Sequence, residues 1–181
     1  MAAAGVRSRT TNPTAALAGF LVAYGAGEGR ELGRRLAHEA VNAYLGGGLL
    51  DDMHTSACYL RLYEYCAFSG ECALFDAEAL RAKLLRQIPH CLSPEAEWES
   101  GYVCRPSQFI SGPDSPWLVC CPEAARSECA FIARTQQADG AWPIPWSWQE
   151  YPAEWAVSRM WWQGDVAIKN MLYLKRFAYP G

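Results

Sequence analysis

Adjacent carboxylates at Asp51 and Asp52, followed by His54, form the first group in the sequence that could do chemistry. Acids beside a histidine can serve as general acids or bases. The pair also stands immediately before a run with helical apolar spacing. At that position an aspartate accepts hydrogen bonds from the unpaired amides of the first helical turn and complements the helix dipole. We favour this capping role over catalysis for the pair.

A polar strip follows along the same predicted helix. Its members share helical spacing and are His54, Cys58, Arg61, Glu64 and Tyr65. A histidine and a cysteine one turn apart could share a ligand or act as an acid/base pair, and an interior Arg–Glu pair is costly unless it faces water or substrate. The alternative, which we favour, is a salt-bridged polar seam between helices. The catalytic residues are therefore unknown, with Asp51, Asp52, His54 and Glu64 as the candidates.

Aromatic residues crowd the last third of the chain. The candidate ligand-binding residues are Trp142, Trp146, Trp148, Tyr151, Trp155 and Trp162. Pro143 and Pro145 exclude a helix here and Asp139-Gly140 favours a turn, so we predict an ordered loop over 138–153. An aromatic wall of this kind binds apolar chains, stacks on sugars or holds cations. Tryptophans between prolines also staple a loop to its neighbours, and we favour that structural role.

The eight cysteines raise the question of a metal site. Cys91, Cys104, Cys120 and Cys121 lie in or beside a proline-rich segment over 91–121, which we predict to be an irregular loop. There is no Cys-x-x-Cys, and the histidines do not stand at zinc-site spacing from these cysteines. We therefore predict no metal and no cofactor. Reduced, mostly buried cysteines in a cytoplasmic protein are the expected state.

Apolar periodicity and helix breakers predict six helices, at 12–24, 30–45, 53–68, 77–88, 122–135 and 154–177. Pro89 is expected to end the fourth, with Lys83 and Gln87 on its solvent side. The first, third and sixth are apolar on most sides and are predicted to be interior, whereas the others have one apolar face and are predicted to be outer. The fold class is thus all-α, with a flexible tail over 1–11 and a single helical domain over 12–181.

The sixth helix has two apolar faces. The wide stripe comprises Val157, Met160, Trp161, Gly164, Ala167, Ile168, Met171, Leu172 and Leu174, and the narrow stripe comprises Trp155, Trp162, Val166, Tyr173 and Phe177. A helix with two apolar stripes is expected to be buried on both sides, between an outer helix and an inner helix or a cavity.

A short motif and a longer run carry a family resemblance. Gln136-x3-Gly140-x-Trp142 resembles the Q-W motif of the terpenoid cyclase and protein prenyltransferase superfamily. The run from Trp148 through Trp155 to the closing segment 170–177 looks like the C-terminal end of bacterial prenyltransferase-like proteins with no assigned activity. The resemblance implies helical hairpins forming a partial (half) α/α toroid of inner and outer helices. It also implies that aromatic residues line a cavity and that the Q-W residues tie outer helices together.

The acidic motifs of that superfamily are incomplete here. Its class I isoprenoid enzymes hold diphosphate through magnesium with DDxxD, but the run Asp51-Asp-Met-His-Thr55 lacks the final carboxylate. Its class II cyclases use DxDD for protonation, but Leu49 and Leu50 stand where the other residues of that motif belong. Both departures count against cyclase activity, and whether the chain is an enzyme stays open.

Charge and hydropathy limit the partners. A net charge of −3 and a pI near 5.6 give no electrostatic reason to expect nucleic acid. No apolar run approaches the ~20 residues that span a bilayer, although Arg7 and Arg9 before the apolar run 15–24 imitate a secretory signal. Two hypotheses remain. The chain binds an apolar or aromatic small molecule against its inner helices, or it is a non-catalytic interaction module that completes a toroid by dimerising or with a separate N-terminal half.

Overall fold

The computed structural model describes residues 11–179. Within that range it contains helices and irregular segments and no β-strand, which confirms the all-α class. The α-helices are α1 Thr11–Tyr24, α2 Gly27–Leu45, α3 Met53–Phe68, α4 Ala77–Cys91, α5 Pro122–Thr135 and α6 Pro152–Arg176. The tail predicted over 1–11 lies outside the described residues, except that Thr11 already belongs to α1.

The chain divides into two compact units, Met1–Cys91 and Leu92–Gly181. The first contains α1 to α4, and the second contains α5, α6 and the irregular segments before each of them. The single domain over 12–181 and the half-toroid arrangement stay predictions.

Small residues let the first helices of unit one pack closely. A Cβ added at Gly33 of α2 would lie 2.7 Å from the Cβ of Leu21 and 2.9 Å from the backbone nitrogen of Val22. A Cβ at Gly19 of α1 would lie 2.8 Å from the Cα of Leu62 in α3. Only glycine fits at these two crossings. The fully buried aliphatic side chains of unit one include Ala15, Ala18, Val22, Ala37, Val41, Leu62, Leu80 and Leu84.

The prediction that α4 ends before Pro89 was wrong, because the helix continues to Cys91. In the last turn a proline removes one backbone hydrogen bond but keeps a φ that the helix accepts. Contacts across the final turn offset that loss. The Sγ atom of Cys91 lies 3.1 Å from Nε2 of Gln87 and 3.3 Å from the hydroxyl oxygen of Ser56.

Lys83 and Gln87 of α4 are buried, so the prediction that they face solvent was wrong. The backbone that leaves α2 covers this side of α4, and its polar groups need partners. Gln87 accepts a hydrogen bond from the Leu50 amide at 2.9 Å and donates one to the Leu50 carbonyl at 2.7 Å. The Lys83 ammonium donates to the carbonyls of Tyr44 and Gly47 at the end of α2, where a cation complements the helix dipole. Burial lowers the pKa of Lys83.

Unit two has a core of its own. Its buried cluster is Trp98, Cys129, Phe131, Ile132, Trp142 and Tyr173. The two tryptophans are also hydrogen bonded, because Nε1 of Trp98 donates to the Ser93 carbonyl at 3.0 Å and Nε1 of Trp142 donates to the Ile132 carbonyl at 2.8 Å. Aromatic groups from both irregular segments thereby close the core between α5 and α6.

Two predictions of full burial were wrong. The wide stripe of α6 is mostly exposed, although Ala167 and Leu174 at its edge pack against the core of unit two. The narrow stripe packs on that core through Val166, Tyr173 and Phe177. On α1, Leu17, Phe20 and Tyr24 are also exposed. Periodicity shows that a helix has a second apolar face but cannot show that the same chain covers it.

Candidate functional site

The carboxylate of Asp52 caps α3, which confirms the capping interpretation. It accepts hydrogen bonds from the backbone amides of His54 and Thr55, each at 3.0 Å, and one from the Thr55 hydroxyl. The Thr55 hydroxyl is the main cause that lowers the pKa of Asp52. Asp51 is exposed and lies 2.9 Å from Nε2 of His90. The two acids therefore hold different partners and do not converge on one point.

The polar strip of α3 does not form an enclosed site. His54, Arg61 and Glu64 are exposed, whereas Cys58 is buried. The thiol of Cys58 lies 3.6 Å from the side-chain oxygen of Asn12, and burial raises its pKa. A buried thiol with a raised pKa is a poor nucleophile, because the thiolate is the reactive form.

An aromatic patch covers one side of α1 and α3 in unit one. Its members are Phe20, Tyr24, Tyr65 and Phe68. Tyr24 contacts each of the other three rings at centroid distances between 5.1 and 6.0 Å. Phe68 is 74% exposed, so the patch faces solvent in this chain. The sequence pattern had placed Tyr65 on the polar strip of α3 and did not predict the ring cluster.

The predicted aromatic wall separates into four parts. Trp142 belongs to the core of unit two. Trp146 makes edge contacts with Trp162 at 6.0 Å and with Tyr102 at 5.3 Å, whereas Trp148 contacts Trp155 at 5.5 Å. Tyr151 is exposed just before α6. The structure thus brings Trp146 and Trp162 together and adds Tyr102, which sequence reasoning missed because it lies in another irregular segment.

An open cleft adjoins Trp146. It encloses about 510 Å³ and is lined by Ile144, Pro145, Trp146, Ser147 and Gln149. The cleft is shallow and its lining is mixed in polarity. Ligand sites are usually deeper and bury most of the ligand surface. This cleft can take a flat apolar or aromatic group against one indole face.

The segment that resembles a Q-W motif forms the turn after α5. Nε2 of Gln136 donates to the Gly140 carbonyl at 3.0 Å, and the Ala141 amide donates to the carboxylate of Asp139 at 3.0 Å. Gly140 has φ of +84°, which favours glycine at this turn. Trp142 then enters the core. The motif residues thus tie the end of α5 to the loop that follows it.

A buried acid in α5 was missed by sequence reasoning. Glu128 is fully buried and accepts hydrogen bonds from the amide and the hydroxyl of Ser107, both at 2.7 Å, while Nε of Arg105 lies 3.3 Å away. Burial raises the pKa of Glu128, and Arg105 with the two Ser107 donors opposes that rise. Periodicity places Glu128 on the inner face of α5, which is the one available signal. Its satisfied bonds indicate that it anchors the irregular segment.

The cysteines do not gather around a metal in the part of the chain that the structure describes. No disulfide joins them, and no group of three His, Cys, Asp or Glu side chains among residues 11–179 is arranged to hold an ion. Cys120 and Cys121 are the closest pair, with sulfur atoms 3.8 Å apart. A hydrogen bond from the Cys121 thiol lowers the pKa of Cys120.

The wide stripe of α6 is the largest exposed apolar feature along one helix. Its exposed fractions are 61% at Val157, 71% at Met160, 79% at Trp161, 57% at Ile168, 52% at Met171 and 46% at Leu172. Gly164 lies at its middle, and a Cβ added there would meet nothing within 4 Å. The exposed apolar side chains of the wide stripe therefore form a ridge along α6, with a depression at Gly164 where no side chain projects.

Comparisons with protein-family models, with curated proteins and with solved structures find no match to this chain. No helix among residues 11–179 is long and apolar enough to cross a membrane.

Proposed function

We propose that this chain is a non-catalytic helical interaction module that associates with its own kind through the wide stripe of α6. The observation that carries the proposal is the exposure of six large apolar side chains in helical register on one side of α6. Contiguous apolar surface of this kind marks interaction sites, because apolar area left in water is costly by ~25 cal/mol per Å². A single helix face is a common docking element for another helical surface.

Three side chains that could do chemistry have other roles in the structure, which supports a non-catalytic module. Asp52 is engaged by the first turn of α3, Cys58 is a buried thiol and Glu128 has a full set of partners. The residues that line the cleft beside Trp146 include no acid, base or nucleophile other than Ser147. The family resemblance would add an architecture to this proposal, namely a half toroid that a second copy completes.

Sedimentation equilibrium of the purified protein tests the proposal. The wild-type chain is expected to self-associate, and the double variant Met160→Glu/Ile168→Glu is expected to be monomeric because two charges on the ridge cannot be desolvated without partners. The matched control is Glu150→Gln/Gln163→Glu, which alters polar residues near or on α6 and leaves the ridge intact. A wild-type chain that stays monomeric at high concentration overturns the proposal.

A second candidate function is the binding of an apolar or aromatic small molecule beside Trp146. The edge contacts among Tyr102, Trp146 and Trp162 next to an open cleft favour it. Titration with a prenyl alcohol and with an indole, followed by tryptophan fluorescence, tests this function. Saturable quenching should be lost in Trp146→Ala and kept in Trp148→Ala, whose ring belongs to the separate pair with Trp155. Quenching that neither variant alters removes the cleft as a binding site.

A further inference from the structure

The wide stripe is arranged symmetrically about Gly164. Val157 and Met171 stand seven residues before and after it, and Met160 and Ile168 stand four before and after it. At about 100° per residue, all four positions lie within about 40° of the direction of Gly164 on the helix surface. Trp161 and Ala167, three residues before and after Gly164, complete the set at its edges. Apolar residues thus stand at the same distances from Gly164 toward the N-terminus and toward the C-terminus of α6.

We propose that two copies of this chain pair through α6 in an antiparallel arrangement whose two-fold axis passes beside Gly164. This inference rests on the proposed function and specifies the partner and the register. In that arrangement Val157 of one copy packs opposite Met171 of the other, and Met160 packs opposite Ile168. Both copies present the same patch, as a two-fold interface requires.

Gly164 supports a crossing point at this position. A glycine in a helix interior destabilises the helix by roughly 0.5–1 kcal/mol relative to alanine. Nothing in unit two requires it, since a Cβ there would meet open space. A second helix that crosses at Gly164 would explain why glycine stands there. Without a side chain at this position the two backbones can approach closely, and the flanking side chains of the two helices interlock.

The charges at the ends of α6 favour antiparallel over parallel pairing. Glu154 lies in the first turn, and Lys175 and Arg176 lie in the last. Glu154 is ten residues before Gly164 and Lys175 is eleven after it, so their heights differ by about 1.5 Å when one helix is reversed. At about 100° per residue, Glu154 lies about 80° and Lys175 about 20° to the same side of Gly164. The two-fold axis keeps each residue on its own side, so each Glu154 faces Lys175 of the other copy. Parallel pairing would instead place Glu154 against Glu154 and Lys175 against Lys175.

Charge exchange tests the direction of the pair. Sedimentation equilibrium at low salt gives the dissociation constant for the wild type, Glu154→Lys, Lys175→Glu and the double variant. Each single variant replaces two opposite-charge contacts with two like-charge contacts and should weaken association about tenfold. The double variant should return to within about threefold of the wild type. A double variant that is no tighter than the single variants overturns the antiparallel arrangement, while association itself would still support the proposed function.

A second variant tests the crossing point. Gly164→Leu has open space around it in the single chain, so the fold should be retained and the circular dichroism spectrum should match the wild type. The added side chain keeps the two helices apart, and association should weaken more than about tenfold. If the Gly164→Leu variant dimerises with the same dissociation constant as the wild type, the proposed crossing at Gly164 is overturned. A monomeric wild-type chain overturns both this inference and the function on which it rests.

Discussion

The carboxylate of Asp52 stabilises the first turn of α3, and its contribution depends on pH. Asp52→Ala should lower the free energy of unfolding by about 1 kcal/mol at pH 7, because two backbone amides lose their acceptor. The folded pKa of Asp52 lies below its ordinary value, so the carboxylate adds stability above the unfolded pKa of about 3.9. That contribution is lost as the pH falls through the folded pKa. Urea unfolding of both proteins at neutral and acidic pH measures the difference.

Asp51→Ala is the matched control for that variant. Asp51 is exposed, and its carboxylate lies 2.9 Å from Nε2 of His90. Its replacement should change the free energy of unfolding at pH 7 by less than about 0.5 kcal/mol. Equal losses in the two variants would mean that the helix cap at Asp52 contributes no more than a surface charge.

Glu128 anchors the irregular segment that contains Arg105 and Ser107. Glu128→Ala removes the acceptor for both Ser107 donors and leaves Arg105 without its buried counter-ion. We expect a loss of about 3 kcal/mol or more in the free energy of unfolding, measured by denaturant titration. Glu123→Ala, in the same helix but exposed and paired only with Arg126, should cost less than about 0.5 kcal/mol. A loss at Glu128 as small as at Glu123 would contradict this anchoring role.

Residue roles were only partly predictable from the sequence. The cap at Asp52 follows from its place before an apolar period, because a cap depends on local geometry alone. The role of Glu128 and the burial of Lys83 and Gln87 were not predicted, because each depends on polar partners that helical periodicity does not show. Their partners come from segments 21 to 43 residues away, and that pairing exists only after the chain folds.

At the scale of the helices, the tight crossing of α1 and α2 depends on Gly33. Gly33→Ala should lower the free energy of unfolding by about 1–3 kcal/mol, because the new methyl group would meet the backbone of Val22 and Ala18 at 3.0 Å or less. Gly29→Ala is the matched control in the same helix, since a Cβ there meets nothing within 4 Å. That control should be neutral or stabilising by up to about 1 kcal/mol. Thermal unfolding compares the three proteins, and equal effects of the two variants would contradict close packing at Gly33.

Local signals predicted the bounds of two helices correctly. α3 and α5 begin and end at the predicted residues, since Asp52 caps one and Pro122 opens the other. α4 ran past its predicted end because contacts of Gln87 and Ser56 with Cys91 support a turn that Pro89 alone disfavours. Propensity sets where a helix can stop, and tertiary contacts decide whether it does.

At the scale of the whole molecule, association should make thermal stability depend on protein concentration. A partner that binds only the folded chain shifts the unfolding equilibrium by mass action. A hundredfold increase in concentration should raise the unfolding temperature by about 2–4 °C in the wild type. Met160→Glu/Ile168→Glu should show no such increase, because its ridge cannot be buried. Differential scanning fluorimetry across the concentration range measures both, and a concentration-independent wild type would contradict association.

The sequence by itself determined the all-α class, most helix ends and the existence of two apolar stripes on α6, because these depend on residue order within a few turns. Only the tertiary structure decided which of the two stripes packs on the core of the same chain. The narrow stripe of α6 meets the core of unit two through Tyr173, while the wide stripe around Gly164 stays exposed. The physical reason is that burial is a property of neighbours brought from distant parts of the chain. Periodicity records that a face is apolar, and only packing shows what covers it.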